Sequence, residues 1–395
     1  MDETHAILSA WSAGGPALDG TVLASVVHVK GSAYRRPGAR MLVLSDGSRI
    51  GTLSGGCLEG DVARKAAWWT SGGEPSLRRF DSTSEGAAWD FGLGCNGVIS
   101  VLLERVARPE VTGFLAFLAD VRARRDAAVV ATVVDGNEAA GVDSGQRLLV
   151  ASGRVMGGSL RGSPLESYLS DAIADVARER VSRLVHLGGC DVFVESIAPP
   201  PRLVVFGGGH DVIPLVAMAA LQGWSVTVAD GRTLYARPNR FPGAESVVLV
   251  PASGDIADIP IDGETAVVMM THNYAQDRTL LPRILARAPR YLGMLGPRSR
   301  SERLFDELGL ELRDHDVHAP VGLDVGGDAP EAIALSIVAE IQSALAGRGA
   351  GFLRYREGPI HPAPRESGIA TPPWAAKRPP PETVACEVSK DRVPA

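Results

Sequence analysis

Cys57 follows two glycines in "LSGGCLEGD" (53–61) and stands just before a stretch of helical composition, Leu58 to Thr70. Glycines tolerate backbone angles and close approaches that other residues resist. At or beside a helix N-terminus, unpaired N–H groups favour the thiolate, which is a nucleophile and a soft metal ligand. Cys95 sits in a second glycine turn, "FGLGCNGV" (91–98), ahead of an apolar run. A small buried thiol in a tight strand-to-helix turn would use the same residues, so the motifs leave both roles open. No C-x-x-C motif or closely spaced histidine pair completes a zinc ligand set. His28 and His186 are candidate bases for a Cys–His pair, but no feature of the sequence positions either.

Two further groups carry polar chemistry. "GSAYRRPGARMLV" (31–43) is a glycine and proline loop whose Arg35, Arg36 and Arg40 suit a phosphate or other anion, or simply solvent. "VVFGGGHDVIP" (204–214) places Gly207, Gly209 and His210 after a strand and before a helix, where backbone N–H groups can approach a pyrophosphate. Asp230 ends the next strand, at the spacing of an acid that bonds a ribose hydroxyl. Val212 replaces the third glycine of that fingerprint, and Arg232 offers a ribose phosphate an alternative partner. A Rossmann-like domain that binds no dinucleotide would keep these residues too. "MMTHNYAQD" (269–277) and "GMLGPRSRSERL" (293–304) set Thr271, His272, Asn273, Gly296, Arg298 and Arg300 at strand ends expected to face the same crevice. His272 there reads as an acid or base, a ligand contact, or a strand-end cap.

The elements that must hold these residues form an α/β chain in three parts. Residues 1–198 mix β-rich segments, such as 21–29, 40–44 and 97–106, with helical ones. "APPPR" (198–202) reads as a short stiff linker. Residues 202–347 alternate strands and helices in the manner of a doubly wound parallel sheet. Their last helix starts near "DAPEAIAL", with Asp328 three residues before Glu331 as its cap. Residues 348–395 are proline-rich, lack an apolar period and are expected to be disordered. No repeat of solenoid length is visible.

Composition narrows the classes. The chain has 395 residues, 45% of them hydrophobic, and a net charge of −6, which argues against a nucleic-acid binder. No apolar run is long enough to span a bilayer, and the N-terminus lacks the pattern of a signal peptide. Four cysteines in this length do not make a disulfide scaffold, so a cytoplasmic protein is expected.

The chain resembles the XdhC/CoxI family, the xanthine dehydrogenase accessory factors. The matching motifs are "GSAYRRPGARM", "GTLSGGCLEGDV", "GLGCNGV", "PPPRLVVFGGGH", "MTHNYAQD", "YLGMLGPRSR" and "HAPVGLDVGGDAPEAIALSIVAEI", which in order cover roughly residues 20 to 345. Tyr34 departs from the proline common in the family, and Asp211 from a small apolar residue. The resemblance implies a chaperone that binds molybdenum cofactor (molybdopterin) and inserts it into an apo molybdenum hydroxylase of the xanthine dehydrogenase class. Cys57 and Cys95 are then expected at the metal end of the cofactor, and Arg36 and Arg40 at its phosphate. Gly207, Gly209, His210, Asp230 and His272 would hold the pterin, its nucleotide or a separate NAD(P). A cysteine desulfurase and a second copy of the chain are further candidate partners. The competing reading is an NAD(P)-dependent oxidoreductase, with Asp230 on the ribose and His272 as acid or base.

Overall fold

A computed structural model describes residues 3–14, 18–31, 33–56, 58–81, 97–137, 141–187, 189–251, 253–357 and 360. Cys57, Cys95 and the tail after residue 360 lie outside these. The chain separates into two compact units, Glu3–Pro199 and Pro200–Gly358.

The first unit opens with helix α1 (Glu3–Ala13), then β1 (Val22–Gly31), β2 (Arg40–Val43), β3 (Arg49–Gly51), helix α2 (Glu59–Trp69), β4 (Ser76–Asp81) and β5 (Gly97–Arg105). Helix α3 (Pro109–Arg124) leads to β6 (Ala128–Asp135), β7 (Arg147–Ala151), β8 (Arg154–Gly157), helix α4 (Pro164–Glu179), β9 (Arg183–Leu187) and β10 (Cys190–Ile197). The strands make two antiparallel sheets that use one topology twice, β3-β2-β1-β5-β4 and β8-β7-β6-β10-β9. Register repeats as well. Ser25 pairs with Arg40 as Thr132 does with Arg147, and Leu23 pairs with Glu104 as Val130 does with Glu195. Even the bulge recurs, at Val27 in β1 and Val134 in β6.

Strand alternation gives each sheet two packed faces. Val27 and Leu102 meet Val134 and Phe193 between the sheets. On the outer faces, α2 packs Val62 and Ala66 on Ala24 and Val101, while α4 packs Leu169 and Val176 on Ala131 and Val192. Cys190 belongs to this second core and is an ordinary buried thiol. Two ion pairs then cross between the halves, Arg40 with Glu195 and Arg147 with Glu104. Both guanidinium groups lie over the Phe114 ring of α3, each 4.9 Å from its centroid.

The second unit contains β11 (Arg202–Phe206), α5 (Val212–Leu221), β12 (Ser225–Asp230), β13 (Ser246–Leu249), β14 (Thr265–Met269), α6 (Tyr274–Leu285), β15 (Tyr291–Met294), α7 (Arg298–Glu307), β16 (Val317–His318) and α8 (Pro330–Leu345). Its six-stranded sheet has the order β13-β12-β11-β14-β15-β16 and is parallel throughout. That is the doubly wound dinucleotide-fold order, with the switch point between β11 and β14. Leu203 and Val205 pack under α5 and α8, and Val204 and Phe206 pack under α6 and α7. Burial on both faces explains why β11 reads as an unbroken apolar run.

One local expectation is corrected. Helix α8 begins at Pro330 with Ala329 as N-cap and no side-chain cap, so Asp328 does not close a capping box. Proline suits the first helical position, where its missing N–H is no loss. Of the expected tail, residues 348–357 are described and hold a 3-10 turn at Leu353–Tyr355 with exposed side chains. Among the described residues, no helix is long and apolar enough to cross a membrane.

Candidate functional site

Strand direction gathers three loops at one edge of the first sheet. β2 and β5 run antiparallel to β1, so their first residues, Arg40 and Gly97, lie toward the Gly31 end. β3 and β4 run antiparallel to those strands and finish toward that end, at Gly51 and Asp81. The arginine loop (31–40), the β3–α2 turn (52–58) and the β4–β5 connection (82–96) therefore all leave from this edge. Cys57 belongs to the turn and Cys95 to the connection, both outside the described residues. The second half of the unit differs at both places. Its matching turn, "LRGSPLE" (160–166), has Pro164 where "LSGGCLE" (53–59) has Cys57, and its strands β9 and β10 are joined by residues 188–189 alone.

The turn is held by a buried acid. Glu59 Oε1 accepts the amides of Leu53 at 3.0 Å and Ser54 at 2.7 Å, and Oε2 accepts the Ser54 hydroxyl at 2.7 Å. Ser54 Oγ in turn accepts the Leu58 amide at 3.2 Å. Burial alone would raise the Glu59 carboxyl, but the Ser54 and backbone bonds hold it below its ordinary value. Gly55 and Gly56 are exposed, and Gly56 has φ +114°. A Cβ on Gly55 would lie 3.5 Å from the Tyr34 ring, so the arginine loop rests against this turn. Arg35 pairs with Glu3, which also accepts the Thr52 hydroxyl at 2.7 Å. Arg36 is exposed on the loop. Arg40 points the other way, between the sheets, with its side chain 10% exposed and bonded to Glu195 and the Gly38 carbonyl. That guanidinium is committed to packing.

A histidine cluster lies where β1 meets β9. His186 Nδ1 is 2.5 Å from Asp191 Oδ1, a bond that raises its pKa. Burial lowers the pKa of half-buried His28, and the nearby His186 lowers it further. The strand pairings, not any sequence motif, bring these side chains together. Among the described residues, no group of three or more His, Cys, Asp or Glu side chains is placed to hold a metal ion.

In the second unit the glycine turn lies at the carboxyl end of β11. Gly207, at φ +124°, is fixed by its neighbour, since a Cβ there would overlap the Met270 carbonyl. The amides of Gly209 and His210 donate to no described residue, so this turn has the open donors a phosphate needs. His210 is exposed. Asp230 is 1% exposed and accepts from Gly208 N at 2.6 Å, Arg232 N at 2.7 Å, Arg232 Nε at 2.9 Å and Arg232 Nη2 at 2.7 Å. Burial opposes its charge, but the Arg232 and Gly208 bonds hold its pKa below the ordinary value. From the next strand end, His272 Nε2 meets Asp211 Oδ2 at 2.8 Å. His272 has φ +54°, a left-handed conformation uncommon outside glycine and often found at functional sites. The other residues expected at this crevice turn elsewhere: Thr271 bonds Asp277, Arg300 pairs with Asp277, and Arg298 pairs with Glu302. The Asp211–His272 pair joins residues far apart in the chain, so no local signal announces it.

Comparison with known proteins agrees with this architecture. Residues 17–81 match the XdhC and CoxI family, and residues 203–341 match the XdhC Rossmann domain. A Bacillus subtilis (strain 168) protein named as a probable subunit of xanthine dehydrogenase is 34% identical over 325 residues, covering 81% of this chain and 92% of that protein. The molybdenum cofactor insertion chaperone PaoD of Escherichia coli (strain K12) is 26% identical over 329 residues, covering 82% and 83%. A crystal structure of a xanthine dehydrogenase from Bacillus halodurans superposes with a TM-score of 0.71 at 29% identity, covering 88% of this chain and 97% of that one. The chain belongs to the XdhC and CoxI family.

Proposed function

We propose that this chain is a cytoplasmic accessory factor that binds molybdenum cofactor and inserts it into an apo molybdenum hydroxylase of the xanthine dehydrogenase class. The observation that carries this reading is the single edge of the first sheet from which both cysteine segments and the arginine loop leave. Thiols and a guanidinium are the donor types that a metal–dithiolene centre and a pterin phosphate require. Cys57 and Cys95 would take the metal end, and Arg36 the phosphate. Arg40 would act only through the scaffold. Relatives named for xanthine dehydrogenase and for cofactor insertion support the same role.

The test is metal and pterin analysis of the protein purified from cells that synthesise the cofactor. Wild type is expected to carry molybdenum and pterin, and to activate an apo-hydroxylase. Cys57→Ala and Cys95→Ala are expected to keep the wild-type melting temperature and lose most of both. Unchanged cofactor content in the two variants would overturn the site.

The second unit has the donor set for a nucleotide, with open turn amides at a helix start and arginines beside them. We propose that its crevice takes a nucleotide. An NAD(P)-dependent oxidoreductase is favoured by one observation, the Asp211–His272 pair beside the glycine turn. That reading requires nicotinamide-dependent turnover of a carbonyl or alcohol, abolished by His272→Ala.

A further inference from the structure

We infer that the crevice of the second unit selects a nucleotide carrying an extra phosphate on its ribose, of the NADP type, through Arg232 and Arg240. The inference rests on the reading that this crevice takes a nucleotide.

In this fold the residue ending the second strand meets the ribose, and a free acid there accepts the ribose hydroxyls and repels a phosphate. Asp230 is not free. Both of its oxygens accept short bonds from Arg232 and Gly208, and its charge is matched by the guanidinium of Arg232. The acid is therefore a clamp for the arginine.

The clamped guanidinium is well placed for an anion. Nε and Nη2 bind Asp230, the side chain is 46% exposed, and the group lies 3.8 Å from the centre of the Tyr235 ring. Arg240 approaches the same ring at 4.9 Å and is held by Nη1 bonds to Gly208 O at 2.5 Å and Tyr235 O at 3.3 Å. Two arginines thus approach one aromatic ring beside the glycine turn, with Asp230 bonded to Arg232 and the Asp211 carboxylate close enough to act on the same guanidinium. The N–H donors left over on the two guanidinium groups match the oxygens of a phosphate monoester. Because both guanidinium groups are fixed before binding, little side-chain entropy is lost on capture.

Calorimetry of the full chain with NADP+, NAD+, 2′,5′-ADP and 5′-AMP tests this. A charge-assisted contact to one phosphate is expected to make each 2′-phosphorylated probe bind roughly tenfold or more tighter than its partner. Arg240→Gln, which leaves the Asp230–Arg232 pair intact, is expected to reduce that preference several-fold, weakening NADP+ more than NAD+. Equal affinities within each pair, or tighter binding of NAD+, would overturn the inference and leave nucleotide binding standing. Failure of all four probes to bind would overturn both.

Discussion

His272 Nε2 lies 2.8 Å from Asp211 Oδ2, joining the loop after β14 to the N-cap of α5 across 61 residues of chain. The pair stands beside Gly209, where a Cβ would collide with the Asp211 carboxylate, a side chain able to rotate away. Gly209→Ala is therefore expected to fold, to break the pair and to weaken nucleotide binding. Gly207→Ala meets backbone instead, at a positive φ, and is expected to cost about 4 kcal/mol or more. Thermal melts of the two variants check the contrast. Equal melting temperatures would contradict it.

Glu59 is expected to make the β3–α2 turn sensitive to acid. Its folded pKa lies below the ordinary 4.5, so its stabilising contribution is complete above that value. The contribution is lost as pH falls through the lowered folded pKa. Glu59→Gln cannot accept the same set of bonds as an anion and is expected to cost about 1–3 kcal/mol at neutral pH. Urea midpoints of wild type and variant, followed from pH 7 to strongly acidic conditions, should converge at the acid end. A constant gap across that range would refute the assignment.

His28 and His186 are expected to titrate on opposite sides of the ordinary value of 6.5. For His186, raised by Asp191, the contribution is present below 6.5 and fades as pH rises through the folded pKa. For His28, lowered mainly by burial, it is present above 6.5 and fades as pH falls. NMR titration of the ring protons resolves the two. Asp191→Asn should bring His186 down toward 6.5, and an unmoved midpoint would show that the bond has no electrostatic role.

Arg147 and Glu104 give a sharper energetic contrast. Glu104 is fully buried, so Arg147→Met leaves an uncompensated charge and is expected to cost about 3–5 kcal/mol. The double change Arg147→Met with Glu104→Leu removes both charges and is expected to recover most of that loss. Denaturant unfolding in a double-mutant cycle measures the difference. Additive effects would mean that the two side chains do not interact.

Much of the second unit was legible in the sequence. Its central strands are apolar runs because both faces are covered, and the glycine turn has fixed offsets from the strand and helix it joins. The state of Asp230 was not legible, since spacing places an acid without saying which donors reach it. In the first unit, the glycine motifs and arginine loop stood out, but their shared edge comes from the antiparallel pairing of β2 to β5. Arg40 looked like its neighbours Arg35 and Arg36, and only the pairing with Ser25 turns it inward. The repeated topology is similarly hidden. Its two copies keep Arg40 and Arg147, Glu104 and Glu195, and Leu53 and Leu160 at matching places, while most other residues have diverged.

The exchange of partners between the two sheets bears on how the first unit reaches its native state. Each half contributes one arginine and one glutamate at matching positions, yet neither pair closes within a half. A half released by itself would expose its inner apolar face and leave two charges without counter-ions. The Arg40–Glu195 contact also joins positions 155 residues apart, so it forms only after both sheets have assembled. Residues 3–199 should therefore unfold in one cooperative step, and neither half should survive excision as a soluble module.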